Sequence, residues 1–117
     1  MSVEFIGERI FLQETAAAGE VWVARSSHGS IYAVEIDQAG FSLPVWSTVE
    51  RAAEFLRNAL LVGPKYEPRA VPLPLFTTTW LSDRSMGIVE LQINPDGRTK
   101  RVLVLTSEEF QARQPQA

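Results

Sequence analysis

The sequence predicts an α+β fold: a single compact domain with a mostly antiparallel sheet of about five strands and helices packed on one face. Three observations lead there. The chain is 117 residues long, the length of one domain. Short β-branched and aromatic runs bounded by Gly, Pro and Ser clusters recur before residue 47 and after residue 86. Between them, residues 49–60 carry apolar side chains at helical spacing.

Residues 2–18 read as a helix. Ile6, Ile10 and Ala17 fall on one face with Val3, Phe5 and Leu12, and Gly19 stands where a helix-ending glycine belongs. Ile10-Phe11-Leu12 is also short and apolar enough to leave a strand open for Arg9–Gln13. A three-strand meander is expected next. Val21–Ala24 stops at Ser26-Ser27-His28-Gly29-Ser30, Ile31–Ile36 stops at Asp37-Gln38-Ala39-Gly40, and Phe41–Trp46 follows. Pro44 has no N–H for a ladder, which places that third strand at an edge.

Ser47-Thr48-Val49-Glu50 has the form of a capping box, with Ser47 as N-cap. The helix it opens runs to Leu60. Val49, Ala52, Ala53, Leu56, Ala59 and Leu60 form its apolar stripe, and Gly63-Pro64 closes it. Four of the seven prolines lie in residues 63–74, which favours extended backbone over a helix or a central strand. That segment reads as a crossover laid on the core. A short helix over Leu75–Leu81 would bring Phe76 and Trp80 together at i,i+4. Gly87–Ile93 and Lys100–Leu105 then flank the turn Asn94-Pro95-Asp96-Gly97 as a β-hairpin. Thr106-Ser107-Glu108-Glu109 opens a last helix to Arg113, which leaves 1–113 as the domain and 114–117 as a frayed tail.

Composition narrows the function classes. With no Cys there is neither a disulfide nor a thiolate metal site, and one His cannot form a His cluster. The net charge of −3 argues against general nucleic-acid binding, which needs clustered Lys and Arg. No apolar stretch approaches the roughly 20 residues of a bilayer span. Glu4, Glu8, Arg9, Glu14 and Glu20 break up the N-terminal segment, so a secretory signal is not expected and the cytoplasm is the expected compartment. No cofactor is expected, because Gly29, Gly40, Gly87 and Gly97 are isolated and form no phosphate-cradling loop. Nine of the eleven basic residues are Arg, the side chain suited to planar carboxylate pairing.

Several motifs together resemble a known family. Glu20-Val21-Trp22, Gly29, Leu43-Pro44-Val45-Trp46-Ser47 and Ala52-Ala53 are followed by Tyr66-Glu67-Pro68, Val71-Pro72-Leu73, Phe76 and Trp80-Leu81. The series resembles a family of small bacterial proteins catalogued as domain of unknown function 2750, over about Glu20 to Phe110. The resemblance implies a compact α+β domain, usually standing alone, in the bacterial cytoplasm, and brings no catalytic residues with it. The Trp22 to Trp46 section is more faintly similar to the amino-terminal domain of enhanced-serine-sensitivity proteins, which would imply an interaction module.

Candidate chemistry is sparse. His28 with Ser27 or Ser30 could serve as base and nucleophile, but a Ser/Gly turn is the ordinary place for a solvated His. Asp37, Asp83 and Asp96 sit at turns, where they cap local backbone rather than gather round a metal. Glu35 and Glu90 interrupt apolar strands and could form a carboxylate pair in a cleft; ordinary strand alternation explains them as well. Arg98, Lys100 and Arg101 make a basic hairpin tip too small for a nucleic-acid footprint. Three Trp suggest more than core filling. Trp46, Tyr66 and Trp80, of which Trp46 and Trp80 flank the proline segment, are the candidate binding patch, with Arg69 and Arg84 supplying charge; filling a small core is the ordinary alternative for such aromatics. The function expected is a non-enzymatic protein–protein interaction or regulatory module. A small enzyme or ligand-binding protein with a carboxylate, Arg and aromatic cleft is the alternative. The expected partners are another protein or, through an open edge at Phe41–Trp46, a second copy of the chain.

Overall fold

The computed structural model describes residues 3–36, 40–82 and 86–114. The predicted turn at Asp37–Ala39, the segment Asp83–Ser85 and the tail Pro115–Ala117 lie outside them. The radius of gyration is 13.4 Å, against about 13 Å for a compact chain of roughly this length.

Helix α1 (Val3–Ala18) forms where expected, and the strand alternative at Arg9–Gln13 falls away. Its buried row differs from the predicted one. Phe11 and Thr15, one turn apart, are fully buried, whereas Ile6 is 54% exposed and Ala17 faces solvent. The aromatic decides the rotation: Phe11 meets Phe110 with ring centroids 6.0 Å apart, and a benzyl group buries more apolar area than a butyl chain. Thr15 is tolerated inside because its hydroxyl donates to the Leu12 carbonyl at 3.2 Å.

Strands β1 (Glu20–Ser26), β2 (Val34–Ile36) and β3 (Gly40–Val45) do not form a meander. Strand β1 departs to pair antiparallel with β4 (Tyr66–Pro72) over seven residues. Only β2 and β3 form the predicted hairpin. The sheet is thus divided, with β1–β4 as one unit and β2-β3-β5-β6 as the other, where β5 is Ile88–Ile93 and β6 is Leu103–Thr106. All pairs are antiparallel except β3–β5.

Strand β3 is therefore internal, which corrects both its placement at an edge and the open edge at Phe41–Trp46 on which a homodimer was expected. Pro44 survives there for a local reason. Val45 accepts from Asn94 on the β5 side, so the Pro44 nitrogen faces the opposite side. On that side the β2 ladder has already ended at Val34↔Ser42, and no ladder N–H is missed.

The proline segment is a strand, where only extended crossover backbone was expected. Trp22 and Ala24 direct their backbone groups at Trp46 and Tyr32, so their partners Ala70 and Pro68 turn their own nitrogens away from β1. Pro68 and Pro72 thus occupy the outer edge of β4, where a missing donor loses nothing.

Helix α2 (Val49–Asn58) starts one residue later than the capping box predicted and ends two residues sooner. Thr48 is the N-cap and accepts from the Arg51 N–H at 3.2 Å. Ser47 is buried and taken up elsewhere: its hydroxyl donates to Glu14, and its N–H donates to Asn94 Oδ1 at 2.9 Å. Leu60 and Leu61 lie beyond the helix, 80% and 89% exposed, so Leu60 is not part of the apolar stripe.

After β4 the chain makes α3 (Leu73–Leu75), which continues as a π-turn over Phe76–Trp80. The predicted Phe76–Trp80 contact is present, with centroids 5.8 Å apart. Strands β5 and β6 form the predicted antiparallel hairpin, though β6 begins three residues later than expected. Helix α4 (Ser107–Ala112) starts at the predicted segment, and there Thr106 and Glu109 close a capping box. The helices do not share one face. Phe11, Phe76 and Phe110 meet Val21, Val23 and Val71 on one side of β1–β4, while Ala52 and Phe55 of α2 meet Ala24 and Trp46 on the other.

Candidate functional site: a cationic groove beside Trp80

Alternation along the β1–β4 pair builds the site. Val21, Val23 and Val71 project into the core, and the same face continues outward through Arg69, opposite Val23, to Arg25, opposite Glu67. Where the apolar residues stop, the sheet becomes the floor of a groove of about 380 Å³ lined by Arg25, Gly29, Ile31, Arg69, Leu75 and Trp80 among others. Gly29 is part of its construction. At φ 89° it closes the Ser26–Ser30 turn, and a Cβ there would lie 3.4 Å from the Arg25 guanidinium, which folds across the bare backbone.

The π-turn holds Trp80 at the groove wall. Leu81 N–H reaches the Phe76 carbonyl at 3.0 Å. Thr77 and Thr78 donate their hydroxyls to the carbonyls of Leu73 and Pro74, at 3.1 and 2.7 Å, satisfying groups that the wide turn leaves open. The indole rests on the buried Phe76 and is itself half-buried. Among the described residues the ion pairs are Arg51–Glu14, Arg113–Glu8 and Arg113–Glu109, and neither Arg25 nor Arg69 takes part.

Two further hollows adjoin the groove. One, of about 520 Å³, opens at the Ser26–Ser30 turn between Arg25, His28, Lys65, Tyr66 and Glu67. The other, of about 150 Å³, shares Ile31 and Trp80 with the groove and is mostly apolar. Groove and turn hollow together offer Arg25, Arg69 and Lys65 against the single carboxylate of Glu67.

The predicted binding residues separate. Trp46 is 0% exposed, with its indole N–H donating to the Pro95 carbonyl at 2.8 Å and its ring 5.1 Å from Phe55. It belongs to the core and not to an exposed patch. Tyr66 packs on Tyr32 at 5.4 Å and borders the turn hollow. Arg69 and Trp80 do meet, in the groove. Arg84 lies outside the described residues. Sequence reading missed Arg25, although its alternation with Val21 and Val23 puts it on the face that Arg69 shares.

The alternative chemistry is not assembled. Val34, Ser42 and Glu90 are successive partners across β2, β3 and β5, so Glu35 lies on the opposite face of the sheet from Glu90. Glu35 is exposed, whereas Glu90 accepts from the Ser42 hydroxyl at 2.7 Å. His28 Nδ1 is 3.3 Å from Ser27 Oγ, a contact between chain neighbours on an exposed turn. Asp96 is occupied by the N–H groups of Arg98 and Thr99, at 2.8 and 2.7 Å, and by the Thr99 hydroxyl at 2.7 Å. These bonds hold its carboxyl down at about 2. Asp37 and Asp83 lie outside the described residues. No described helix is long and apolar enough to cross a membrane.

Fold and groove together define a small α+β domain whose most chemically distinctive surface pairs two arginines with a tryptophan. The chain belongs to the family described as protein of unknown function (DUF2750), whose match covers residues 9–113, from within α1 to the end of α4. No curated protein matches it.

Proposed function

We propose that the domain is a non-enzymatic protein–protein interaction module of the bacterial cytoplasm, and that it holds an acidic segment of a partner protein in the groove between Arg25, Arg69 and Trp80. One observation carries the reading: two arginines outside every ion pair among the described residues face a common groove in a chain whose net charge is −3. Guanidinium groups so placed favour carboxylates through paired N–H donors, and the neighbouring indole adds apolar contact. The bacterial and cytoplasmic setting follows the family resemblance. The partner is held by side chains rather than as an added strand, since Pro68 and Pro72 remove donors from the outer edge of β4. A small carboxylate would use the same arginines, and a groove of about 380 Å³ is within the range of small-ligand sites, so that reading stands second.

The test is an NMR titration with an octapeptide of alternating Glu and Ser, compared with its Gln–Ser counterpart. The acidic peptide is expected to move the Trp80 indole N–H resonance, the neutral one to leave it, and the Arg25→Gln/Arg69→Gln double variant to lose the response while melting at an unchanged temperature. Equal responses to the two peptides would overturn the proposal. A response to succinate alone would favour the second reading.

A further inference from the structure

We infer that the hollow beside Trp80 receives one aliphatic side chain of the bound segment, so that the domain reads a short extended acidic–apolar motif and not acidity alone. This rests on the groove being the binding site. The hollow, about 150 Å³, is lined by Ile31, Ala33, Phe41, Trp80, Met86 and Ile88 together with Leu43, with no charged side chain and the Trp80 indole as its one side chain with an N–H donor. An apolar space of about that size accommodates a single benzene-sized group. Ile31 and Trp80 line both the hollow and the groove, so the indole borders Arg25 and Arg69 in one and a largely apolar pocket in the other.

That arrangement imposes a grammar on the ligand. A carboxylate placed against the arginines leaves a nearby side chain beside the indole, and alternate residues of an extended segment project the same way about 7 Å apart. Because Ile31 and Trp80 border both subsites, the proposed motif is the shortest such spacing, an acidic residue, a spacer and a leucine. Phe41, 37% exposed at the end of β3, offers its ring at the mouth of the hollow. Main-chain pairing is weak along the outer edge of β4, where Pro68 and Pro72 lack donors, so the alternate-side-chain pockets would carry the specificity.

Three nonapeptides in a Gly/Ser background test it, with Glu-Ser-Leu, Glu-Ser-Ala or Gln-Ser-Leu at the centre, followed through the Trp80 indole N–H and the methyl resonances of Ile31 and Ala33. The Glu-Ser-Leu peptide should move all three. The Glu-Ser-Ala peptide should bind about tenfold more weakly and leave the Ala33 methyl in place. Ala33→Leu, which fills the hollow, should abolish the preference for Leu while retaining the Glu-dependent shift of Trp80, with a thermal melt reporting that the variant folds. Equal affinities for Glu-Ser-Leu and Glu-Ser-Ala would overturn the inference and leave the binding reading intact. Equal affinities for Glu-Ser-Leu and Gln-Ser-Leu would overturn the binding reading instead. Silence from all three peptides overturns both, and so does a response of the same methyls to hexanoate without one to any peptide.

Discussion

Trp22 and Trp46 exchange two backbone hydrogen bonds, of 2.8 and 2.9 Å, and this one antiparallel bridge ties the two-stranded sheet to the start of the connection that follows β3. Their side chains also share the small core under α2, Trp46 fully buried and Trp22 packed at its margin. The bridge explains why β1 leaves the predicted meander. With one edge of Trp22 engaged by Trp46 and that of Ala24 by Tyr32, the other edge is free for β4.

Trp46 is therefore a core residue with a polar anchor, and its substitutions should show it. Trp46→Phe keeps most of the apolar volume but leaves the buried Pro95 carbonyl without its 2.8 Å donor, which should cost about 1–3 kcal/mol. Trp46→Ala should cost about 3–5 kcal/mol. Urea denaturation measures both, and a loss below about 0.5 kcal/mol for the alanine variant would place Trp46 back at the surface.

Glu14 ties α1 to α2 and to Ser47 in the connection before it. It receives the Arg51 guanidinium at 3.0 and 3.2 Å and the hydroxyl of Ser47, and these bonds, Arg51 first, hold its carboxyl below the ordinary 4.5. A carboxyl lowered in the folded state stabilises the fold above its unfolded pKa, and that contribution is lost as pH falls through the folded value. Stability should thus decline below about pH 4.5. In Glu14→Gln the stability at neutral pH should be lower and the acid-limb slope shallower. Denaturation midpoints from pH 7 to 3 check this, and parallel curves for the two proteins would refute it.

Asp96 contributes further down the scale. Its carboxyl is held at about 2 by the Thr99 and Arg98 N–H groups and the Thr99 hydroxyl, so its contribution is whole above 3.8 and drains away toward 2. Asp96→Ala should loosen the loop between β5 and β6. Hydrogen exchange at the Arg98 and Thr99 amides should rise in that variant at neutral pH, and unchanged protection would show that the cap does not hold the loop.

Gly63 sits against the end of α2, where a Cβ would fall 1.9 Å from the Leu56 carbonyl oxygen. No rotamer relieves a clash with backbone, so Gly63→Ala should lose about 2 kcal/mol or more. Leu60→Ser and Leu61→Ser, a few residues away but exposed, should change stability by less than about 0.5 kcal/mol. Thermal melts of the three variants check the contrast, and it fails if Leu60→Ser destabilises as much as Gly63→Ala.

Much of the local structure was legible because it depends on neighbours in the chain. The helix start at Thr106–Glu109, the turn at Ser26–Ser30 and the Phe76–Trp80 contact each join residues within about one helical or hairpin turn, and each forms as read. Ser47 shows where that logic ends. Its sequence suits an N-cap as well as Thr48 does, and it is Glu14 and Asn94, thirty-three and forty-seven positions away along the chain, that engage its hydroxyl instead. The rotation of α1 is similar. Apolar residues lie on more than one side of that helix, and the Phe110 ring chooses Phe11 over Ile10.

By itself, then, the sequence determined the α+β class, the positions of most helices and strands, the family, and the presence of Arg69 and Trp80 as residues of interest. Tertiary structure alone decided that β1 pairs with β4, that β3 runs parallel to β5 inside a sheet, that Trp46 is buried, and that Arg25 joins Arg69 at one groove. The physical reason is range. Caps, turns and periodicity are settled by hydrogen bonds and packing between near neighbours, whereas an alternating strand presents the same pattern to any partner, and which partner wins depends on the burial gained by the whole core at once.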